Sequence, residues 1–209
     1  MKINKRDMIR ISILFITILL IIPFSGCNKI ENLSDSGSKL IIMDITGLNL
    51  ESKASHTAFS DVLLKGSVVN DVGTVVLNAK LLDPTATTST YYQSITVDQI
   101  DVEYFRTDGL NTQGLDVPYS FTQKFATTVP VGSDSVSLDF ILVNHNAKLE
   151  QPLINLVNGG AEHILKLDAK ITVHGKDGAG NRVSPVVGYI SVWCANFADP
   201  EEEEENTGG

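Results

Sequence analysis

Asp98, Asp101 and Glu103 crowd one short run of the chain, and Asp177 and Asn181 flank a glycine-rich turn. Carboxylate and amide oxygens delivered by loops are the hard ligands that Ca2+ takes. Asp101 and Glu103, however, alternate with Ile100, Val102 and Tyr104, as solvent-face carboxylates of a strand do. Solvation outweighs Ca2+ as the reading of this set. His56, His145, His163 and His174 are scattered without any paired ligand spacing, so neither zinc nor copper is expected. Cys194 shares a face with Ile190 and Val192 and reads as a small buried hydrophobe, not a reactive thiolate. The chain has no G-x-S-x-G elbow and no S-x-x-K motif. The glycines of Gly178-Ala-Gly180 lead into a strand pattern and not to a phosphate-binding helix N-terminus. No catalytic residue can be nominated, and an enzyme is not expected. Tyr189 and Trp193, beside Pro185, are either an exposed patch for carbohydrate or protein or plain core, and core is the expectation.

Any such residues must be positioned by strands. Val75, Leu77, Ala79 and Leu81 alternate with Val76, Asn78, Lys80 and Leu82, a period of two with one wetter face. The same period runs through Val136, Leu138, Phe140 and Leu142, and through Leu165, Leu167, Ala169, Ile171 and Val173. It puts His174 in phase with Lys166 and Lys170 on a wet face. Leu40–Thr46, Ile95–Arg106 and Tyr119–Thr127 are further strand candidates. Within Ile95–Arg106 the apolar phase slips from odd to even positions, which predicts a bulge near Asp98–Gln99. The one helical candidate is Leu149–Val157, limited by Pro152 and Gly159-Gly160 to a turn or two. Seven or more short strands with turn signals between them predict an all-β, two-sheet antiparallel sandwich over residues 39–198. Pro185 is tolerated in a strand chiefly at an edge or bulge, which raises the prospect of β-augmentation there.

Lys176-Asp177-Gly178-Ala179-Gly180-Asn181 lies between two strand patterns; its Asp-Gly pair is expected to supply the positive-φ residue of a hairpin, and Gly180-Asn181 repeats that chemistry. The stretch from Ile171 to Val183 resembles the final F–G hairpin of bacterial immunoglobulin-like or fibronectin-III-like domains. Val102–Gly109 would then be a central strand running into its turn. The resemblance implies a sandwich used for spacing, adhesion or assembly, and it implies no chemistry.

At the N-terminus, Lys2, Lys5, Arg6 and Arg10 precede the uncharged run Ile11–Ile22, which Pro23 closes. That run is short of the roughly 20 residues a spanning helix needs and has the length of a signal-peptide core. Phe24-Ser25-Gly26-Cys27 follows and resembles the bacterial lipobox, with Phe24 standing where that family usually has Leu. The resemblance implies cleavage after residue 26 and lipid attachment at Cys27. Asn28, in place of the Asp that retains lipoproteins at an inner membrane, leans toward the outer one. Residues 27–38 then read as lipidated Cys and tether, expected to be mobile, and residues 199–209 as a solvated acidic tail.

Removing the leader takes four of 16 basic residues and one of 25 acidic ones, leaving 12 against 24 and a net charge of about −12. Such a surface repels phosphate backbones, so nucleic acid is excluded as a partner. With Cys27 acylated, Cys194 has no internal partner and no disulfide can form. The expectation is a lipid-anchored protein of the bacterial cell envelope. It acts as a non-enzymatic binding or structural subunit with an envelope protein as partner and no cofactor beyond the covalent lipid. The alternative is a small-ligand or Ca2+-binding lipoprotein using its Asp-rich loops.

Overall fold

A computed structural model describes residues 36–83, 85, 90–132, 134–159 and 163–197; the expected signal segment, Cys27 and the acidic tail lie outside the described residues. The chain forms β1 (Ser38–Leu48), β2 (Ala54–Ser55), β3 (Thr57–Asp61), β4 (Asp71–Leu81) and β5 (Ile95–Phe105). It continues through β6 (Phe121–Val129), β7 (Val136–Val143), β8 (Leu165–Asp177) and β9 (Arg182–Ala195). Each long strand follows from its period of two. In β8, Leu167, Ala169, Ile171 and Val173 are buried while the residues between them face outward. β1 already begins at Ser38, inside the stretch that the sequence assigns to the tether.

Two sheets result, with strand orders β2-β1-β4-β7 and β3-β9-β8-β5-β6. The first edge of the chain is shared between them: β1 pairs with β4 in one sheet, and β3 crosses to pair with β9 in the other. The two sheets make an all-β sandwich. One departure from the expected antiparallel arrangement is β3, which runs parallel to β9. β3 carries Ala58 and Ser60 at its inward positions, and such small side chains leave no hydrophobic signal in the sequence. The slip in β5 is a bulge between Val97 and Gln99, felt in both of its ladders. In the β8–β9 hairpin, Gly180 and not Gly178 takes the positive φ, at 88°. Leu149–Val157 forms no single helix. An α-helical turn spans His145–Lys148 and a 3-10 turn Leu153–Leu156.

The core lies between the sheets. Val75, Leu77 and Ala79 of β4 face Ile100, Val102, Ala169, Ile171, Val173 and Val192, all wholly buried. At roughly 25 cal/mol per Å2 of apolar surface removed from water, this burial is the main stabilising term. β1 passes close to β9 because Gly188 has no side chain; a Cβ there would sit 2.5 Å from Ile45 Cδ1.

Polar ties join the sheets where a disulfide cannot. The Tyr104 hydroxyl, buried in β5, donates to the Leu142 carbonyl of β7 at 2.5 Å. Burial pushes the Tyr104 phenol well above its usual range, so it stays protonated and keeps donating. Gln123 of β6 imitates a strand: its Oε1 accepts from Ile141 N–H and its Nε2 donates to Ile141 C=O, both at 2.8 Å. That side chain pairs an edge of one sheet with an edge of the other. Replacing Gln123 with Leu keeps the bulk and removes both bonds. The expected loss is about 1–2 kcal/mol, read as a lower urea midpoint; an unchanged midpoint would show that water replaces Gln123 at no cost.

Candidate functional site

The residues singled out for chemistry are distributed by the fold onto separate places. Asp101 and Glu103 of β5, with His174, Lys170, Asp168 and Lys166 of β8, stand on the outer face of the five-stranded sheet. Asp101 receives His174 Nε2 at 2.7 Å, Thr122 Oγ1 at 2.7 Å and Gln99 Nε2 at 2.8 Å. Burial alone would raise its pKa, but these three donors outweigh it and hold the carboxyl below the usual range. Glu103 pairs with Lys170 at 3.1 Å and Asp98 with Lys176 at 3.2 Å. Asp177 turns into its own hairpin, accepting from the backbone N–H of Ala179 and Asn181 and from the Asn181 side chain. The sequence set for calcium is therefore not brought together. Asp98 and Glu103 each face a lysine ammonium, Asp101 faces the His174 ring, and Asp177 organises a turn. Among the described residues no cluster of three or more His, Cys, Asp or Glu side chains is arranged to hold a metal.

The histidines remain apart. His56 Nδ1 lies 3.2 Å from the Ile45 carbonyl, His145 Nδ1 3.2 Å from Asn70 Oδ1, and His163 Nδ1 2.8 Å from the Gly159 carbonyl. Each is spent on local structure.

The aromatic pair on β9 corrects an expectation. Tyr189 is 64% exposed, so it is not core. Trp193 is half-buried on the same outer face, 5.4 Å from the ring of Phe59, with Lys166 Nζ 4.3 Å above it. The reason is register. Ile190, Val192 and Cys194 take the inner face, which leaves the odd positions outside, and only Trp193 has β3 beside it. β3 reaches β9 no further than Ser191. Arg182–Ile190 thus has β8 on one side and no strand of its sheet on the other, among the described residues. Pro185 sits in this segment, opposite the irregularity between Val173 and Gly175, and Val187 and Tyr189 stand exposed along it.

A buried polar cluster at the opposite end of β9 escaped the sequence. Lys148, at the end of the His145–Lys148 turn, is wholly buried. Its ammonium donates to the Asp61 carbonyl of β3 at 2.7 Å and to Asp71 Oδ1 of β4 at 2.9 Å. It ties both sheets to the loop that follows β7. Burial pushes the Asp71 carboxyl above its usual range, against the pull of Lys148 and Ser60. Cys194 lies in the same patch, and burial pushes its thiol up to about 12, so it is inert at neutral pH. No spacing or periodicity marks Lys148 in the polar run His145-Asn-Ala-Lys-Leu-Glu; only the fold buries it.

Two surface depressions of the sandwich are open and small. One of about 150 Å3 lies between Tyr119, Phe121, Asn144 and Glu150, and one of about 200 Å3 between Thr46, Leu48, Val72 and Asp139. Ligand pockets run to about 300–1,000 Å3. Neither depression gathers an acid, a base and a nucleophile. No family model matches the chain, and no curated protein matches it either.

The Lys148–Asp71 pair makes a pH prediction. Lys148→Met keeps the stem and removes the charge that lowers the Asp71 pKa. The folded-state value, already above the unfolded one, then climbs further. Stability held by a raised carboxyl is fully present below the unfolded pKa and lost as pH rises through the folded value. The melting temperature of Lys148→Met should fall with pH from about 4 upward relative to the unsubstituted protein, with a loss of about 3 kcal/mol at neutral pH. Adding Asp71→Asn should flatten that slope, and an equal slope in the double variant would place its origin elsewhere.

Proposed function

We propose that this chain is a lipid-anchored envelope protein whose sandwich is a non-enzymatic binding or structural subunit. The observation that carries the reading is the edge stretch Val183–Ile190 of β9, which among the described residues has a strand of its sheet on the β8 side alone. Its backbone offers donors and acceptors at a sheet edge, with Val187 and Tyr189 exposed along it. A partner strand laid there gains main-chain hydrogen bonds, and its alternate side chains meet the apolar ones. Tyr189, with two side-chain torsions and both an apolar ring and a hydroxyl, suits such contact at low entropic cost.

The anchor reading rests on the sequence Phe24-Ser25-Gly26-Cys27 and the uncharged run before it. The acidic balance of the mature chain supports a protein partner over nucleic acid.

Two measurements test this. Cys27→Ser should move the protein from the membrane fraction to the soluble fraction of cells; persistent membrane association sinks the anchor. A photo-crosslinking residue at position 189 should give discrete adducts in living cells, and one at position 122, on the far side of the same sheet, should not. Equal labelling from both positions would remove β9 as the recognition edge.

A further inference from the structure

The two ends of the sandwich differ in a way that bears on how an anchored domain stands. Ser38 pairs with Leu81, Ile95 with Asp177, and Lys176 with Arg182, so the start of β1, the β4–β5 connection and the β8–β9 hairpin share one end. Ser36, just before β1, is hydrogen-bonded to Asp177 of that hairpin. β9 ends at Ala195 at the other end, beside Asp61. The last described strand therefore stops at the end opposite to the one where β1 begins.

Tyr91 and Tyr92 project from the entry end, 78% and 66% exposed, with ring centroids 6.2 Å apart. They stand on a 3-10 turn that is firmly built. Thr90 N–H donates to Gln93 Oε1 at 2.7 Å, closing the turn on itself. The hairpin packs onto its backbone so closely that a Cβ on Gly178 would lie 2.8 Å from the Tyr91 carbonyl oxygen. The fold thus holds two large aromatic side chains in water on a fixed support, with half-exposed Leu82 on the same end. Burying such rings removes apolar surface from water, and a tyrosine with its ring in the headgroup region can keep its hydroxyl wet.

Charge points the same way. At this end Lys39, Lys80, Lys176 and Arg182 stand against Asp83, Asp98, Asp134 and Asp177, four of each sign. The mature chain's excess of acid lies elsewhere, so this end meets a headgroup layer without net repulsion. Eight residues separate Cys27 from Ser36. Even fully extended they span only about 30 Å, close to the length of an 11-residue strand such as β1.

We propose that the Tyr91–Tyr92 end is a membrane-contact surface, seated in the headgroup layer of the bilayer that holds the chain's own lipid. The reading rests on acylation of Cys27. Contact at this end leaves the end where β9 stops pointing away from the membrane.

The test uses the mature lipidated protein in phosphatidylcholine vesicles, with its acylation first established by intact mass. A nitroxide is placed at Ala179→Cys, on the exposed hairpin beside the tyrosines, or at Asn155→Cys, in the 3-10 turn at the other end. Cys194, buried and protonated, does not compete for the label. The expected result is a several-fold higher ratio of oxygen to nickel-chelate accessibility at position 179 than at 155. That difference should be lost when Tyr91→Ser and Tyr92→Ser are added. Acylated protein with equal, water-like ratios at both positions overturns the contact surface and leaves the anchor standing. An intact mass without acyl chains overturns both.

Discussion

Lys148 holds the sandwich at the point where it is hardest to close. Its ammonium is wholly buried and bonds one strand of each sheet, the Asp61 carbonyl in β3 and the Asp71 carboxylate in β4. An isolated charge in that place would cost several kcal/mol, and even a paired one often does no better than apolar packing. What the pair contributes is position. It fixes the chain leaving β7 to the ends of two strands, where the one cysteine among the described residues is free and supplies no crosslink. The same patch sets the state of Cys194. A thiol beside a carboxylate in an apolar enclosure stays protonated, so Cys194 is kept from oxidation by burial.

The other cross-sheet ties converge on the same strand. Tyr104 reaches Leu142 and Gln123 reaches Ile141, so β7 is bonded to the opposite sheet at successive residues, and Lys148 follows it in the chain. One lateral opening of the sandwich is thereby closed. The opposite opening is treated differently. There β1 approaches β9 over Gly188 without pairing to it, and β3 covers only the last part of β9. Edges left unpaired are a hazard for aggregation, and proteins ordinarily blunt them. Here Pro185 limits pairing at the start of the exposed segment, while Val187 and Tyr189 leave its later part apolar. The edge is thus guarded over half its length and open over the rest.

The alternation of side chains made most of this fold legible from sequence. β4, β5, β7, β8 and β9 each carry runs of apolar residues at alternate positions, and the slip in that pattern located the bulge beside Gln99. β3 was not legible, because Ala58 and Ser60 fill its inner positions and a parallel pair has no hairpin turn to announce it. The sequence offered two glycines for the turn, Gly178 and Gly180, and Gly180 takes the positive φ. Asp177 accepts backbone N–H groups from within the loop, and that geometry shifts the left-handed position to Gly180. Alternation gave the right faces for Tyr189 and Trp193 but not their burial, since whether a face is covered depends on how far a neighbouring strand extends. Burial of Lys148 was invisible for a related reason. A charged residue in a polar loop reads as solvated until two distant strands supply its acceptors.

The candidate site shows where periodicity stops being informative. Asp98, Asp101, Glu103 and Asp177 are near one another along the chain or across the hairpin, and proximity of carboxylates is the usual pointer to a cation site. What decides is which groups the ladder sets opposite them. β8 brings Lys170, His174 and Lys176 alongside β5, one basic group for each acidic one. A face balanced in that way is solvated and specific without being a ligand cage, because any bound cation would have to displace an ion pair already made. The apolar groups without such an answer lie elsewhere, along the open stretch of β9 and on the Tyr91–Tyr92 turn. The recognition edge and the membrane-contact end proposed above are both placed where backbone or aromatic rings have no partner group of this kind from the fold itself.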